Sequence, residues 1–226
     1  MDNVSLIITG GVLLLAAYIY YQNRNNDLIY VVAPLDGRKY LVRNLPDKDE
    51  AANMLARIRQ NMLVLTNHLN KNYGNEECVQ LLRSRFDADK IMETTQGEKY
   101  TSYTINKGEK MVLCIRARNG TEQLEKENTM MFVSLHELSH VMTKSIGHEN
   151  DEFWRNFKFV LKNAEELGMY NNVDYRTNPE SYCGMQITNS PLHDDSISID
   201  NFKSSSSSIP YDESSEQFKR SVPGVA

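Results

Sequence analysis

The sequence predicts an α+β fold with a small antiparallel sheet, preceded by an N-terminal membrane-spanning helix. Three observations predict it: an uncharged apolar stretch at residues 4–21, two segments that alternate around turn residues, and several segments with helical spacing of apolar residues. At 226 residues the chain has room for one domain of ordinary size, plus appendages. We therefore expect a membrane anchor at residues 1–24 and a single domain at residues 28–190.

Charge and cysteine content narrow the class of protein. The net charge is -5 and no dense block of Lys or Arg occurs, so the sequence carries no strong signal for a nucleic-acid partner. Cys78, Cys114 and Cys183 are odd in number and widely spaced, unlike the framework of a secreted disulfide-rich domain. We therefore expect mostly reduced thiols in a cytosolic-type compartment.

Residues 4–21 are typical of a membrane-spanning helix. The stretch has no charge, is just long enough to cross the hydrocarbon core, and carries tyrosines at one end. A cleaved signal peptide and a buried core helix are the alternatives, but Asp2 stands where a signal peptide has basic residues, and no small-residue cleavage pattern precedes Asn23. Lys and Arg follow the stretch, which favours placing the domain on the cytoplasmic side.

Periodicity and turn residues predict the elements of the domain. The predicted order is a hairpin at 28–44 around Asp36 and Gly37, a helix from Pro46 to Leu69, a shorter helix at 78–86, a second hairpin at 99–118 around 106–109, and helices at 125–145 and 150–168. His68 lies on the polar side of its helix, near the C-terminal end, and is expected to be a surface or capping residue rather than a metal ligand.

The C-terminal part of the chain differs in composition from the rest. Beyond residue 173 the periodicity fades, and the last part is serine-rich and acidic with few large apolar residues. Such a composition cannot bury enough surface to fold by itself. We therefore expect a disordered tail at residues 191–226.

The segment "HELSH", residues 136–140, points to metal chemistry. His136 and His140 are four residues apart, which places both imidazoles on one face of a helix, where they can bind one zinc ion. Glu137 then lies beside a water whose pKa zinc lowers to about 7, and it can act as the general base. The apolar residues around the motif would bury the helix, where imidazoles without partners are costly. The alternative is a pair of structural histidines without metal.

His148 is the expected third metal ligand. It follows a break marked by Gly147, where the chain can turn back towards the helix. Glu149, Asp151 and Glu152 are rival third ligands, because two histidines and a carboxylate also make a sound zinc site.

The segment containing "HELSH" and "SIGHENDEFW" resembles the core of the WLM family of zinc metalloproteases, relatives of the SprT-like proteases. The shared pattern is HExxH, a short loop, a third histidine, and a Phe-Trp pair on the following helix. The similarity covers residues 101–185 and implies a minimal zincin fold and hydrolysis of peptide bonds. It implies that His136, His140 and His148 bind zinc and that Glu137 is the general base. The chain also resembles WLM-like proteins encoded by large DNA viruses.

Two features depart from the family pattern. The gap between His140 and His148 is longer than in many members, and four residues separate His148 from Phe153. The family is associated with proteolysis of proteins crosslinked to DNA, whereas this chain has an apolar N-terminal stretch and no basic patch. The resemblance therefore implies the chemistry but not the substrate.

Residues around the motif have supporting roles in this interpretation. An edge strand at 111–116 can bind an extended substrate by strand addition, with a plain core strand as the alternative. Phe153 and Trp154 pack the following helix rather than contact substrate. Residues 182–185 form a turn beneath the metal, and weaker alternatives are a ligand role for Cys183 and a tyrosine that stabilises the transition state.

Together these patterns predict a single-pass zinc metallopeptidase, anchored in a cellular or virion membrane, that acts on protein or peptide substrates. One alternative is a membrane or virion structural protein that retains a zincin fold without significant activity. Another is a zinc-stabilised binding module closed by four protein ligands. The intact Glu137 argues against the first alternative, and three histidines with an open fourth position argue against the second.

Overall fold

The computed structural model describes residues 3–24, 27–145, 147–148 and 150–204. These ranges form an α+β fold, as the sequence predicts. In chain order the elements are α1 (Asn3–Arg24), β1 (Leu28–Val32), β2 (Lys39–Arg43), α2 (Lys48–Tyr73), α3 (Glu77–Arg85), β3 (Ile91–Glu93), β4 (Tyr103–Ile105), β5 (Lys110–Leu113), α4 (Glu127–Met142), α5 (Asp151–Glu166), β6 (Glu180–Tyr182) and β7 (Met185–Ile187).

The main sheet has five strands in the order β1-β2-β3-β5-β4. The two predicted hairpins, β1-β2 and β4-β5, are antiparallel, whereas β3 pairs in parallel with both β2 and β5. The sheet is therefore mixed, and the expectation of a small antiparallel sheet was wrong. The reason is β3, whose three residues are too few to show a strand pattern in the sequence.

Helix α2 packs on the sheet through the apolar face that the spacing predicts. Met54, Leu55, Ile58, Met62 and Leu65 are all buried. Helix α4 is almost entirely buried and lies among α2, α3, α5 and strand β4. The helix that carries the HExxH motif is therefore held on several sides, which fixes the direction of its side chains.

The turn between β4 and β5 touches the C-terminal end of α4. Asn106 and Lys107 have positive φ angles of 47° and 59°, and Gly108 has a φ of 115°. A Cβ atom at Gly108 would lie 2.7 Å from Cγ1 of Val141, so only glycine allows this approach. The close contact brings Lys107 beside the loop that follows α4.

A disulfide joins Cys114, just after β5, to Cys183 in the β6-β7 turn. The expectation of reduced thiols was therefore wrong for these two residues. It failed because the partners are 69 residues apart, and only the packing of the β6-β7 hairpin against the end of β5 brings them together. Cys78 is not in a disulfide.

Replacing both bonded cysteines by serine should lower the free energy of unfolding. A native disulfide that closes a loop of this length typically contributes about 2–5 kcal/mol by restricting the unfolded chain. Urea unfolding of Cys114→Ser/Cys183→Ser should therefore show a lower midpoint, whereas Cys78→Ser is the matched control and should change it little. Equal midpoints for the double variant and the natural chain would contradict the bond.

The segment predicted to span a membrane lies within helix α1. Its apolar side chains at Val12, Leu13, Leu14 and Leu15 are exposed. Within the ranges given above, no helix reaches the length and apolarity that a membrane crossing requires. The predicted membrane span is therefore not confirmed.

The packed part of the chain continues beyond residue 190, where the sequence predicts the start of a disordered tail. A short 3-10 helix forms at Pro191–His193, and the ring of Phe202 stacks on Phe159 with centroids 4.0 Å apart. The tail prediction missed these residues because isolated apolar side chains in a serine-rich segment give no periodic signal. Residues 205–226 of the predicted tail lie outside the described residues.

Candidate metal centre

Three histidines converge at one point of the structure. His136 and His140 lie on α4, and His148 lies in the loop between α4 and α5. Their Nε2 atoms are 3.3 Å apart for His136 and His140, 3.1 Å for His136 and His148, and 3.0 Å for His140 and His148. The structure thus brings together all three residues that the sequence analysis predicts as ligands.

This spacing fits a tetrahedral zinc site. With Zn–N bonds of about 2.0–2.1 Å, tetrahedral geometry places ligand nitrogens about 3.3 Å apart. A neutral imidazole has one N–H and one lone pair, so three Nε2 atoms at these distances cannot all satisfy one another by hydrogen bonds. A cation between them removes the conflict. Among the residues whose positions are described, this is the one group of three or more His, Cys, Asp or Glu side chains that can hold a metal ion.

The rival third ligands do not join the histidines. Asp151 and Glu152 lie in the first turn of α5, outside the metal-binding group. The carboxylate of Glu152 instead accepts a hydrogen bond from the backbone N–H of Lys144 at 3.3 Å. Glu149 lies outside the described residues. His148 therefore has the geometry of the third ligand, and its metal-binding role stays a prediction.

The surroundings keep the imidazoles neutral, which is the form that binds a metal. Burial, together with the neighbouring His140 and His148, lowers the pKa of His136 to about 3. Burial, with His148 and Lys107 nearby, lowers the pKa of His140 to about 4. Burial also lowers the pKa of His148. All three imidazoles are therefore neutral at pH 7, and each has a nitrogen lone pair that can bind a metal ion.

The metal-free protein should lose stability in acid because of this cluster. The folded state holds His136 neutral down to a pKa of about 3, whereas the unfolded chain protonates at about 6.5. Below pH 6.5 the unfolded state therefore binds more protons than the folded state. The free energy of unfolding then decreases by about 1.4 kcal/mol for each unit by which the pH is lowered, until the pKa of the folded state is reached.

Urea unfolding between pH 7 and pH 4 in the presence of a chelator measures this dependence. Because Glu137 acts in the opposite direction, the informative quantity is the difference between the natural chain and His136→Ala, whose unfolding should depend less on pH. His68→Ala, on the far helix α2, is the control and should behave like the natural chain. Equal pH dependence in the natural chain and His136→Ala would contradict the prediction.

Glu137 is a buried carboxyl on the same helix and is 5% exposed. Burial raises its pKa to about 8. A carboxylate that lacks a nearby cation is costly in such a place, whereas a bound metal ion would stabilise its charged form. Glu137 also lines the cavity that contains the three histidines, so the arrangement suits a group that takes up a proton from a molecule bound there.

The loop that carries His148 is fixed by cations from other elements. The Nζ atom of Lys107 donates to the carbonyls of Thr143, at 3.2 Å, and of Ser145. The guanidinium of Arg85 donates to the carbonyls of Val141 and Thr143 at 3.2 and 3.3 Å. The last carbonyls of a helix receive no hydrogen bond from a backbone N–H of the same helix. Lys107 and Arg85 supply the missing donors at the end of α4. Sequence reasoning missed Lys107 and Arg85, because no local pattern links either residue to the loop.

Phe153 and Trp154 pack the site from helix α5, as the sequence predicts. Phe153 is fully buried, and its ring centroid is 4.4 Å from that of His140 and 5.0 Å from that of His136. Trp154 also has a polar role, because its Nε1–H donates to the carbonyl of His148 at 3.0 Å. The Phe-Trp pair thus fixes the first two imidazoles by contact and the third by a backbone hydrogen bond.

A cavity of about 830 Å³ opens at the histidines. One wall is strand β4 with the residues before and after it, and apolar side chains of α4 and α5, including Phe132, Val133 and Phe157, line another part. Strand β4 is the edge of the sheet, whereas β5 lies between β3 and β4. Of the two alternatives for residues 111–116, the core strand is therefore the one observed, in β5 (Lys110–Leu113), and the edge beside the site is Tyr103–Ile105.

Residues 182–185 close the cavity on the side of the β6-β7 hairpin. Tyr182 is buried, lines the cavity, and its hydroxyl lies 2.6 Å from Oγ of Ser102. Cys183 is bonded to Cys114, so the alternative in which its thiolate binds the metal is wrong. The disulfide and the Tyr182–Ser102 hydrogen bond attach the hairpin to the sheet beside the cavity.

Comparison with known proteins shows viral relatives. The chain is 31% identical over 191 residues to "Uncharacterized protein R325" of Acanthamoeba polyphaga mimivirus. The aligned region covers 82% of this chain and 93% of the relative. It is 36% identical over 85 residues to "Uncharacterized protein 136R" of Invertebrate iridescent virus 6, covering 36% of this chain and 44% of the relative. It is 42% identical over 74 residues to "Uncharacterized protein 042R" of Invertebrate iridescent virus 3, covering 32% and 44%.

Comparison with solved structures gives a more distant similarity. A crystal structure of Wss1 from Saccharomyces cerevisiae has a TM-score of 0.41 and 19% sequence identity, over 54% of this chain and 85% of Wss1. The structure of a Wss1 mutant has the same TM-score and sequence identity, over 57% of this chain and 91% of the mutant chain. Values of this size are too low to transfer a function. No protein-family model matches the chain.

The mimivirus relative establishes a family, because the similarity extends over most of both chains. The chain belongs to the same protein family as this viral protein, as the predicted resemblance to proteins of large DNA viruses anticipates. Membership of the WLM family stays a prediction.

Proposed function

We propose that this member of the viral family is a zinc-dependent metallopeptidase that hydrolyses peptide bonds. The observation that carries the proposal is the convergence of three histidine Nε2 atoms within 3.0–3.3 Å of one another, beside the buried carboxyl of Glu137. Three protein ligands leave a fourth position for water or substrate, which distinguishes catalytic zinc sites from structural ones.

In this proposal His136, His140 and His148 hold the ion and Glu137 moves protons. When bound, zinc would supply a Lewis acid for the scissile carbonyl and would lower the pKa of water to about 7. The carboxylate of Glu137 takes a proton from the attacking water and delivers it to the leaving amine. Phe153 and Phe157 pack against the imidazoles and exclude bulk water from that side, which strengthens the electrostatic interactions in the site.

The edge strand β4 supplies a place for the substrate backbone. The outer edge of β4 has no strand partner in the five-stranded sheet, and Tyr103 and Thr104 of this strand line the same cavity as the histidines. An extended peptide can add to such an edge by backbone hydrogen bonds. We therefore propose an unfolded or locally extended segment of protein as substrate.

Two alternative functions differ from the proposal in measurable ways. A structural or interaction protein with an inactive zincin fold would bind zinc but cleave no protein. A closed binding module would have a fourth protein ligand, yet in the described part of the chain the metal-binding group contains three histidines and no fourth residue. The buried Glu137, which neither alternative requires, favours the peptidase.

Digestion of an unfolded protein tests the proposal. Zinc-loaded full-length protein is incubated with reduced, carboxymethylated casein, and the products are sequenced by mass spectrometry. We expect new peptide termini to accumulate, to disappear with a chelator, and to return when zinc is added back. Zinc-loaded protein that leaves casein and other unfolded substrates intact would favour the interaction protein.

We also propose that α1 attaches the chain to a membrane. The proposal is supported by the uncharged stretch at 4–21 and by the exposed apolar side chains of α1. The full-length chain should stay in the membrane pellet after carbonate extraction, whereas a chain without residues 1–24 should be released. Release of both chains would contradict the anchor.

A further inference from the structure

The chain contains two copies of the sequence Asn-X-Ser/Thr, the acceptor sequence for N-linked sugars. One is Asn3-Val4-Ser5, at the start of the apolar stretch at 4–21. The other is Asn119-Gly120-Thr121, in the loop between β5 and α4. Because the apolar stretch separates Asn3 from Asn119, a chain that crosses a membrane once places the two asparagines on opposite sides.

The loop at 119–121 has the conformation and the space that a sugar acceptor needs. All three residues are exposed. The Oδ1 atom of Asn119 accepts hydrogen bonds from the backbone N–H of Thr121 at 3.0 Å and from its hydroxyl at 2.6 Å, which forms a turn. These bonds use the oxygen of the amide, so Nδ2, the atom to which a sugar is attached, stays free. A Cβ atom added at Gly120 would meet nothing within 4 Å, so the space beside the turn is open.

The disulfide indicates the side of the membrane on which the domain folds. Thiols in the cytosol are kept reduced, and the disulfides found there are mostly transient bonds of catalytic or redox-sensing cysteines. Such cysteines need access to a reaction partner. Cys114 and Cys183 are 2% and 4% exposed, so their bond is a structural one inside the packed domain. Bonds of this kind are typical of proteins that fold in an oxidising compartment, such as the lumen of the endoplasmic reticulum.

The charges after the apolar stretch favour the opposite side, and the two signals have to be weighed. The preference of Lys and Arg for the cytoplasmic side acts on short loops, whereas whole domains are translocated largely regardless of charge. A folded domain follows the stretch in this chain. The disulfide is the stronger signal, because it belongs to the domain itself and requires an oxidant to form.

We propose that the domain folds on the lumenal side of the endoplasmic reticulum and that Asn119 carries an N-linked glycan there. In the transfer, Nδ2 of Asn119 forms a bond to C1 of the first sugar of a lipid-linked oligosaccharide diphosphate. The bond between C1 and the diphosphate oxygen breaks, the lipid diphosphate leaves, and the amide loses one proton to the transferase.

The glycan is compatible with the proposed peptidase. None of the residues 119–121 lines the cavity at the histidines, so a sugar on Asn119 leaves that cavity open to a substrate. The orientation rests on the proposed attachment of α1 to a membrane, whereas the glycan itself needs only entry of the domain into the lumen.

Treatment with peptide N-glycosidase tests the acceptor site. The full-length chain is produced in cultured mammalian cells, and the whole lysate is treated with the enzyme and separated on a gel. We expect one shift to higher mobility, corresponding to the loss of one glycan. The enzyme converts the glycosylated asparagine to aspartate, so tandem mass spectrometry should locate this conversion at position 119.

Variants of the loop make the test specific. Asn119→Gln removes the acceptor, and Thr121→Val removes the hydroxyl while Asn119 stays; both should lose the shift. Thr121→Ser keeps a hydroxyl and should keep the shift. Asn3→Gln is the matched control for the other acceptor sequence and should behave like the natural chain. Since residues 119–121 are exposed, these substitutions should leave the fold intact.

Counting free thiols gives a second measure of the compartment. Cells are lysed in denaturant with a maleimide-linked polymer, which adds mass to each free thiol. The chain has three cysteines, and we expect one to react, Cys78, before reduction and all three to react after it. Reaction of all three without a reductant would contradict folding of the domain in an oxidising compartment.

Two results of the glycosidase test would overturn the proposal. One is unchanged mobility of the natural chain while other glycoproteins in the same lysate shift. The other is a shift that persists in Asn119→Gln and disappears in Asn3→Gln, which would place the domain in the cytosol. A glycosylated chain that is released by carbonate extraction would keep the glycan and contradict only the membrane anchor.

Discussion

Glu137→Gln should abolish peptide hydrolysis while the protein stays folded and keeps its metal. The amide has the size of the carboxyl but cannot accept a proton from water, so the chemical step loses its general base. Loss of a positioned general base typically lowers a rate by about 10²–10⁴-fold. Since Glu137 is buried and its pKa is raised by burial, the neutral amide should not weaken the fold.

The rate of casein cleavage by zinc-loaded variants measures this effect. Glu127→Gln is a matched control: Glu127 lies in the first turn of the same helix, where its carboxylate pairs with Arg57 at the surface, and its replacement should leave the rate unchanged. An undiminished rate in Glu137→Gln would show that another group takes the proton, and would remove the assigned mechanism.

His148→Ala should strongly weaken zinc binding. The Nε2 atom of His148 is within 3.1 Å of the Nε2 atoms of His136 and His140, so its loss leaves two of the three proposed ligands, both on α4. Loss of a partner outside the ligand shell typically lowers metal affinity about 10- to 100-fold, and loss of a ligand itself should cost more. Competition with a chromogenic zinc chelator gives the affinity directly.

The rival carboxylates provide the controls for that experiment. Asp151→Ala and Glu152→Ala remove the described residues that the sequence offers as alternative third ligands, and both should bind zinc nearly as tightly as the natural chain. If His148→Ala kept its affinity and Glu152→Ala lost it, the site would be one of two histidines and a carboxylate.

The sequence was most informative where the signal is local. The four-residue spacing of His136 and His140 predicts one helical face, and α4 carries both imidazoles to one point. Helix α2 likewise follows from its apolar spacing, because a long amphipathic helix repeats its signal over many turns. Gly147 marked the break before His148, and the loop there turns the third imidazole towards the first two.

Contacts between distant segments of the chain could not be predicted from the sequence, for a physical reason. Strand β3 has three residues, and its place between two hairpins is decided by parallel pairing with strands far along the chain. Three other contacts join segments that no periodicity connects: the Cys114–Cys183 bond, the contacts of Lys107 to the loop of His148, and the buried ion pair between Arg116 and Glu93. These contacts form only when the whole domain packs.

Zinc content of the purified full-length protein tests the central claim most directly. Elemental mass spectrometry after dialysis against metal-free buffer should find about one zinc per chain in the natural protein and in Glu137→Gln, and almost none in His136→Ala. Absence of zinc from the natural protein after incubation with it, or equal zinc in His136→Ala, would contradict a metal centre at the three histidines.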